Sequence, residues 1–260
     1  MPSKCTFDRN GDLLTINRPD RNEIAFTTYR EDYWDELSGQ SWRLNENGYP
    51  TCSKLGDLHR YIMGKWYGED VLEELTKKGY VVDHLDNKHN NCRIDNLEFL
   101  LKDFNTAKAQ WLDKQIKELQ HHYALALYKD FETKCYQITI GMNDPIVRKD
   151  GMGDHYVGSV KFLYTEDYPV VIKDAEMMLL HLERDEFNPR KYNACSIREY
   201  DCPNIKFTEE EKNAGVVTRN GRVFLVLGTG HSLLNKIAPD RGWYPTGKGT
   251  VQYQVYIPSV

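Results

Sequence analysis

The sequence predicts an α+β chain of two regions, and three observations carry that prediction. Short apolar runs of strand composition, separated by turn signals, fill residues 1–53. Runs with apolar residues at helical spacing follow them. Between these and the second half lies a stretch, Val82 to Asn105, that reads as strand end, polar loop, apolar strand and helix-forming segment. The expected division is therefore 1–127, a β-rich lead-in joined to that unit, and 128–260, a second α+β region. A further sub-boundary is expected near 185–206.

In chain order, Leu13-Leu14-Thr15-Ile16 and Glu23 to Tyr29 read as strands around a Pro19-Asp20 turn, and Glu31 to Leu37 as a short amphipathic helix. Ser41 to Leu44 and Tyr49 to Ser53 form a predicted hairpin, because Asn47-Gly48 supplies the positive-φ residues of a tight turn. Leu58, Tyr61, Ile62 and Trp66 lie at helical spacing within Leu55 to Trp66. A second short helix, Glu69 to Lys78, is stopped by Gly79. Tyr80-Val81-Val82 is a strand-like run, and Asp83 and His84 stand at its end. Leu97, Phe99, Leu100 and Leu101 make the next apolar strand. Thr106 to about Leu127 reads as one long helix, with Ala107, Trp111, Ile116, Leu119 and Tyr123 as its apolar members.

In the second region, Cys135 to Ile140 and Tyr156 to Tyr164 are expected strands joined by the loop GMNDPIVRKDGMGD. Lys173 to Glu183 is a helix with Ala175, Met178, Leu179 and Leu182 on one face. Thr208 with Glu211 is a capping-box signal. Val216 to Leu227 is a hairpin turning at Asn220-Gly221, and Thr250 to Ile257 is the last expected strand. The Gly-rich segment Gly228 to Ser232 lacks the Lys-Ser/Thr of a phosphate loop.

The stretch Val82 to Asn105 carries the chemistry. Asp83-His84, Asp86, Asn87, Asn91, Cys92, Arg93, Asn96-Leu97 and Asn105 are polar or turn residues at fixed spacing. The set resembles the HNH (ββα-metal) endonucleases, in the form found in phage and homing enzymes. The likeness extends over roughly residues 20–110, including the lead-in around His59, for which a structural role is expected. The resemblance implies His84 as general base and Asn96 as the brace of loop and base. It implies Asp83 and Asn105 as ligands of one divalent ion, Mg²⁺ or else Mn²⁺. Physical chemistry suits those roles: imidazole titrates near pH ~6.5 and can take a water's proton, and carboxylate and amide oxygens are hard ligands. Cys92 is expected to pack.

The wider implications follow the same lines. The resemblance implies double-stranded DNA as the partner and metal-dependent hydrolysis of its phosphodiester bonds as the reaction, by nicking or double-strand cleavage in a monomer or homodimer. A restriction- or defence-type nuclease, and a non-catalytic DNA-binding or inhibitor protein with the same fold, stay open as alternatives. The net charge is −5, but from Cys202 onward seven basic residues face four acidic ones, so that part is +3 and the remainder −8. Residues 128–260 are accordingly expected to recognise the target. Arg219, Arg222 and Arg241 there, with Arg93 and Lys108 nearer the motif, are candidate DNA contacts; aromatic residues such as Trp243, Tyr244 and Tyr253 add to that surface. The six cysteines (5, 52, 92, 135, 195, 202) include no C-x-x-C pair, so no structural zinc is expected and free thiols are. No apolar run approaches the ~20 residues of a membrane span, and the opening residues have no signal-peptide core; a cytoplasmic protein without membrane contact is expected.

Overall fold

The computed structural model describes residues 4–118, 122–149, 154–165 and 167–226, together with 245–246 and 250–251. The chain is α+β and packs as two compact units, Met1–Asn105 and Thr106–Val260. The division falls within a helix, ahead of the 127/128 boundary read from the sequence. Among the described residues no helix is long and apolar enough to cross a membrane.

The first unit is built on an antiparallel meander: β1 (Thr6–Asn10), β2 (Leu13–Arg18) and β3 (Glu23–Thr28). Strand β1 was not anticipated; its polar sequence, TFDRN, has little strand character of its own and is held by pairing with β2. Alternation in β2 sends Leu14 and Ile16 inward, as a period of two requires. Helix α1 (Glu31–Ser38) buries Tyr33 and Leu37, one turn apart. Strands β4 (Arg43–Leu44) and β5 (Pro50–Cys52) form the predicted hairpin, with Gly48 at φ 81°, and β6 (Gly56–Asp57) extends it. Helix α2 (Leu58–Tyr67) buries Leu58, His59, Tyr61, Ile62 and Met63, and α3 (Glu69–Lys77) buries Leu72. Each fully buried aliphatic side chain contributes roughly 1.5–3 kcal/mol.

Gly79, at φ 85°, turns the chain from α3 into β7 (Tyr80–His84). Strand β7 pairs antiparallel with β9 (Leu97–Leu101), from Tyr80↔Leu101 to His84↔Leu97. Within the connecting loop, β8 (Asn91–Cys92) docks parallel onto β3, Phe26 opposite Asn91 and Thr27 opposite Cys92. The loop is thereby welded to the meander. Helix α4 (Lys102–Gln110) begins directly after β9 and spans the division between the units.

In the second unit the end of α4 is followed by α5 (Leu112–Glu118) and then a strand, β10 (Tyr123–Lys129). The single long helix expected to Leu127 is therefore corrected. In YALALYK, Leu125, Leu127 and Lys129 are buried at every second position, a strand period that pairing with the next strand satisfies. That next strand, β11 (Tyr136–Lys149), continues through most of the expected loop by way of a register shift between Gly141 and Ile146. It pairs with β12 (Asp154–Tyr164), which pairs with β13 (Ser196–Asp201), giving the order β10-β11-β12-β13. The polar stretch 185–206 thus contains the fourth strand of this sheet. Helix α6 (Tyr168–Glu183) buries Val171, Ile172, Ala175, Met178, Leu179 and Leu182, the stripe of an amphipathic helix. Helix α7 (Glu209–Ala214) has the predicted capping box, Thr208 with Glu211. Strands β14 (Val216–Arg219) and β15 (Arg222–Leu225) turn at Asn220 (φ 52°) and Gly221 (φ 74°). The backbones of β16 (Pro245–Thr246) and β17 (Thr250–Val251) pair antiparallel. Gly228 to Ser232, Arg241, Trp243, Tyr244, Tyr253 and the rest of the last expected strand lie outside the described residues.

Candidate functional site

Strand β7 delivers Asp83 and His84 at its end, and both are buried, at 6% and 3% exposure. The ladder sets Asp83 opposite Glu98 and His84 opposite Leu97. Leu85 continues the chain with its amide bonded to the Asn96 carbonyl at 2.9 Å.

Asn96 organises the loop beyond. Its Nδ2 donates to Asp86 Oδ1 and to the Asn91 carbonyl, both at 2.8 Å, and its Oδ1 accepts from the Asp86 amide at 3.1 Å. Asp86 also accepts from the Lys88 amide at 3.0 Å and from Asn91 Nδ2 at 2.8 Å. A carboxylate with so many donors is well compensated for its partial burial. Asn87 adopts φ 54°, a left-handed conformation that asparagine tolerates better than most residues. Asn90 Nδ2 donates to the Ile24 carbonyl at 2.9 Å and Thr27 Oγ1 to the Cys92 carbonyl at 3.1 Å, tying the loop to β3.

Around His84 is a set of rings that the sequence reading did not assemble. His59 of α2 lies edge-on to it at 5.3 Å between centroids, His89 of the loop at 5.7 Å, and Tyr49 of the β4–β5 hairpin at 5.6 Å. Tyr49 stacks on His89 at 4.0 Å and 10°. Cys92 Sγ is 3.9 Å from His84 Nε2, and complete burial pushes this thiol well above its ordinary range. It packs, as expected, and is no nucleophile at neutral pH. Burial drives the His59 imidazole down to about 4, and its Nδ1 is buried without a hydrogen-bond partner. Burial, and then the Asp83 charge, raise the Tyr49 phenol. Nothing local in the sequence links residue 49 or 59 to residue 84. Their only signal was an aromatic after the Asn-Gly turn and a histidine on an apolar helix face.

The remaining candidates separate clearly. Asn105 lies in α4, half-buried, at the first turn after β9. Arg93 is partly exposed, 3.7 Å from Asp12, with a buried Nε that lacks a partner. Lys108 is corrected: it is 1% exposed, its ammonium 3.4 Å from Asp113, and a buried, paired cation is not presented to a phosphate. Lys114 is exposed and pairs with Glu118. Arg219 donates from Nε to Glu211 at 3.0 Å, from Nη2 to the same carboxylate, and from Nη1 to the Lys206 carbonyl. Its fork is occupied within the unit, which removes it as a ready DNA contact. Arg222, across the turn, is exposed. Among the described residues no three His, Cys, Asp or Glu side chains cluster to hold a metal; a carboxylate-plus-amide pair is not such a cluster.

Comparison with family models, with curated proteins and with solved structures finds no match.

Proposed function

We propose that the chain is a metal-dependent DNA endonuclease of the HNH type, with its site at the β7–β9 pair and the start of α4. What supports this reading most is Asn96: it ties the loop back to Asp86, two residues from His84, as the brace of a base would. The strand, loop, strand and helix order from Tyr80 to Gln110 supports it as well.

The residues fit a hard divalent ion. Asp83 would supply a carboxylate oxygen and Asn105 an amide oxygen. Asp83 also stands directly across the ladder from Glu98, and a cation relieves the repulsion of two like charges so placed. When bound, Mg²⁺ would neutralise charge on the attacked phosphate. His84, as neutral imidazole, takes the proton of the attacking water, and Tyr49, His59 and Cys92 hold its ring. Asn96 keeps the loop from moving the base. The second unit is proposed to read the target, with exposed Arg222 rather than Lys108 or Arg219 among its phosphate contacts.

The burial of His84 favours one competing reading, a DNA-binding protein of the same fold without turnover. Supercoiled plasmid decides between them. The nuclease reading expects nicking in Mg²⁺, none in EDTA, and a loss of about 10²–10⁴-fold in His84→Ala with DNA binding retained. Binding without cleavage in any divalent ion would establish the competing reading.

A further inference from the structure

Hydrolysis of a phosphodiester moves two protons: one leaves the attacking water and one reaches the departing oxygen. His84 accounts for the first only. A second imidazole stands beside it. His89 lies in the loop after β7, its ring 5.7 Å from that of His84. Whereas His84 is buried, His89 is partly exposed and borders solvent.

His89 is also held from two sides. Its Nδ1 lies 2.7 Å from the Asn47 carbonyl oxygen, and its ring stacks on Tyr49 at 4.0 Å. A carbonyl can only accept, so Nδ1 carries hydrogen in both protonation states. Nε2 is left as the nitrogen that gains and loses a proton. Both anchors come from the turn of the β4–β5 hairpin, remote in sequence. A residue that merely filled space there would not need its tautomer fixed.

We propose that His89 is a second catalytic residue, the acid that protonates the leaving 3′ oxygen; this rests on the nuclease reading above. The water oxygen forms its bond to phosphorus while its proton passes to His84. The P–O3′ bond breaks, its electron pair stays on O3′, and the proton on His89 Nε2 joins that oxygen. The products are a 3′-hydroxyl and a 5′-phosphate. His84 ends protonated and His89 neutral, and exchange with solvent restores both.

The test uses the full chain and two duplex oligonucleotides carrying a mapped cleavage site. One has the natural linkage. The other has sulfur in place of the bridging 3′ oxygen, which departs as thiolate and needs no acid. Both are assayed in Mn²⁺, which tolerates sulfur. His89→Asn keeps a donor for the Asn47 carbonyl but cannot transfer a proton. It is expected to lose about 10²-fold on the oxygen linkage and to match wild type on the sulfur linkage, with DNA binding unchanged. His84→Ala is expected to fail on both. A His89→Asn protein that cleaves the oxygen linkage at the wild-type rate, or is slowed equally on both, overturns the proposal. Wild-type rates in His84→Ala would instead overturn the assignment of His84 as the base on which the proposal rests.

Discussion

Among the described residues, two of the isolated antiparallel strand pairs, β7–β9 and β14–β15, reverse direction by opposite means. In β14–β15 two residues suffice, because Asn220 and Gly221 both take positive φ and match the twist of the strands. The pair leaves Val216 and Val223 exposed and buries little. In β7–β9 the connection runs from residue 85 to 96, and closing it relies on side chains: Asp86, Asn91 and Asn96 bonded to one another and to the backbone. Lengthening a loop costs little entropy, since that cost grows with the logarithm of length. Burying polar groups costs far more unless each is bonded. The β7–β9 pair nevertheless buries Asp83, His84 and Asn96, and His59 packs beside them with an unpartnered nitrogen. Such an outlay is what a site requires and a simple reversal does not.

The contrast can be broken in three places, in descending order of effect. Asn96→Ala removes three hydrogen bonds and leaves the Asp86 amide without its partner. At roughly 1 kcal/mol per bond plus the cost of the orphaned group, a loss of about 3–4 kcal/mol is expected in urea denaturation. A loss under ~1 kcal/mol would show that the network does not hold the loop. The next effect is a pH dependence. The folded pKa of His59 lies at about 4, below its unfolded value near 6.5. Between those values the unfolded chain binds the proton and the folded chain does not. The His59 contribution is therefore complete above pH ~6.5 and lost as pH falls toward ~4, on the order of 3 kcal/mol in all. His59→Phe should flatten that acid limb of stability; an unchanged limb would place its origin elsewhere. The smallest effect belongs to the short turn. Asn220→Ala forces alanine into φ 52°, at a cost of about 1 kcal/mol, and should leave DNA cleavage unchanged. Reduced cleavage there would show that the turn itself bears on the phosphate contact proposed at Arg222.

Which features were legible in the sequence follows from how local they are. The Asn47-Gly48 and Asn220-Gly221 turns, the Thr208–Glu211 capping box and the α6 stripe depend on residues a few positions apart, and each formed where expected. In the loop, the turn residues bond to nearby groups as their short side chains suggest, whereas the brace at Asn96 was implied by the resemblance alone. The helix expected to reach Leu127 failed because apolar residues at Leu119 and Tyr123 fit a helical period, while Leu125 and Leu127 fit a strand period that only pairing with β11 could select. Lys108 looked like a surface cation, and its burial against Asp113 depends on packing that charge patterns do not encode. The rings around His84 come from three separate elements, so no window of sequence could display them.

The central claim is that Asp83 and Asn105 hold the metal with which His84 works. The most direct measurement is the plasmid nicking rate across a Mg²⁺ titration for wild type, Asp83→Ala, Asn105→Ala and Asn105→Asp. Both alanine variants should need far more Mg²⁺ to reach a given rate, while Asn105→Asp, which restores a hard oxygen ligand, should retain activity. Titration curves for both alanine variants that superimpose on wild type would contradict the account.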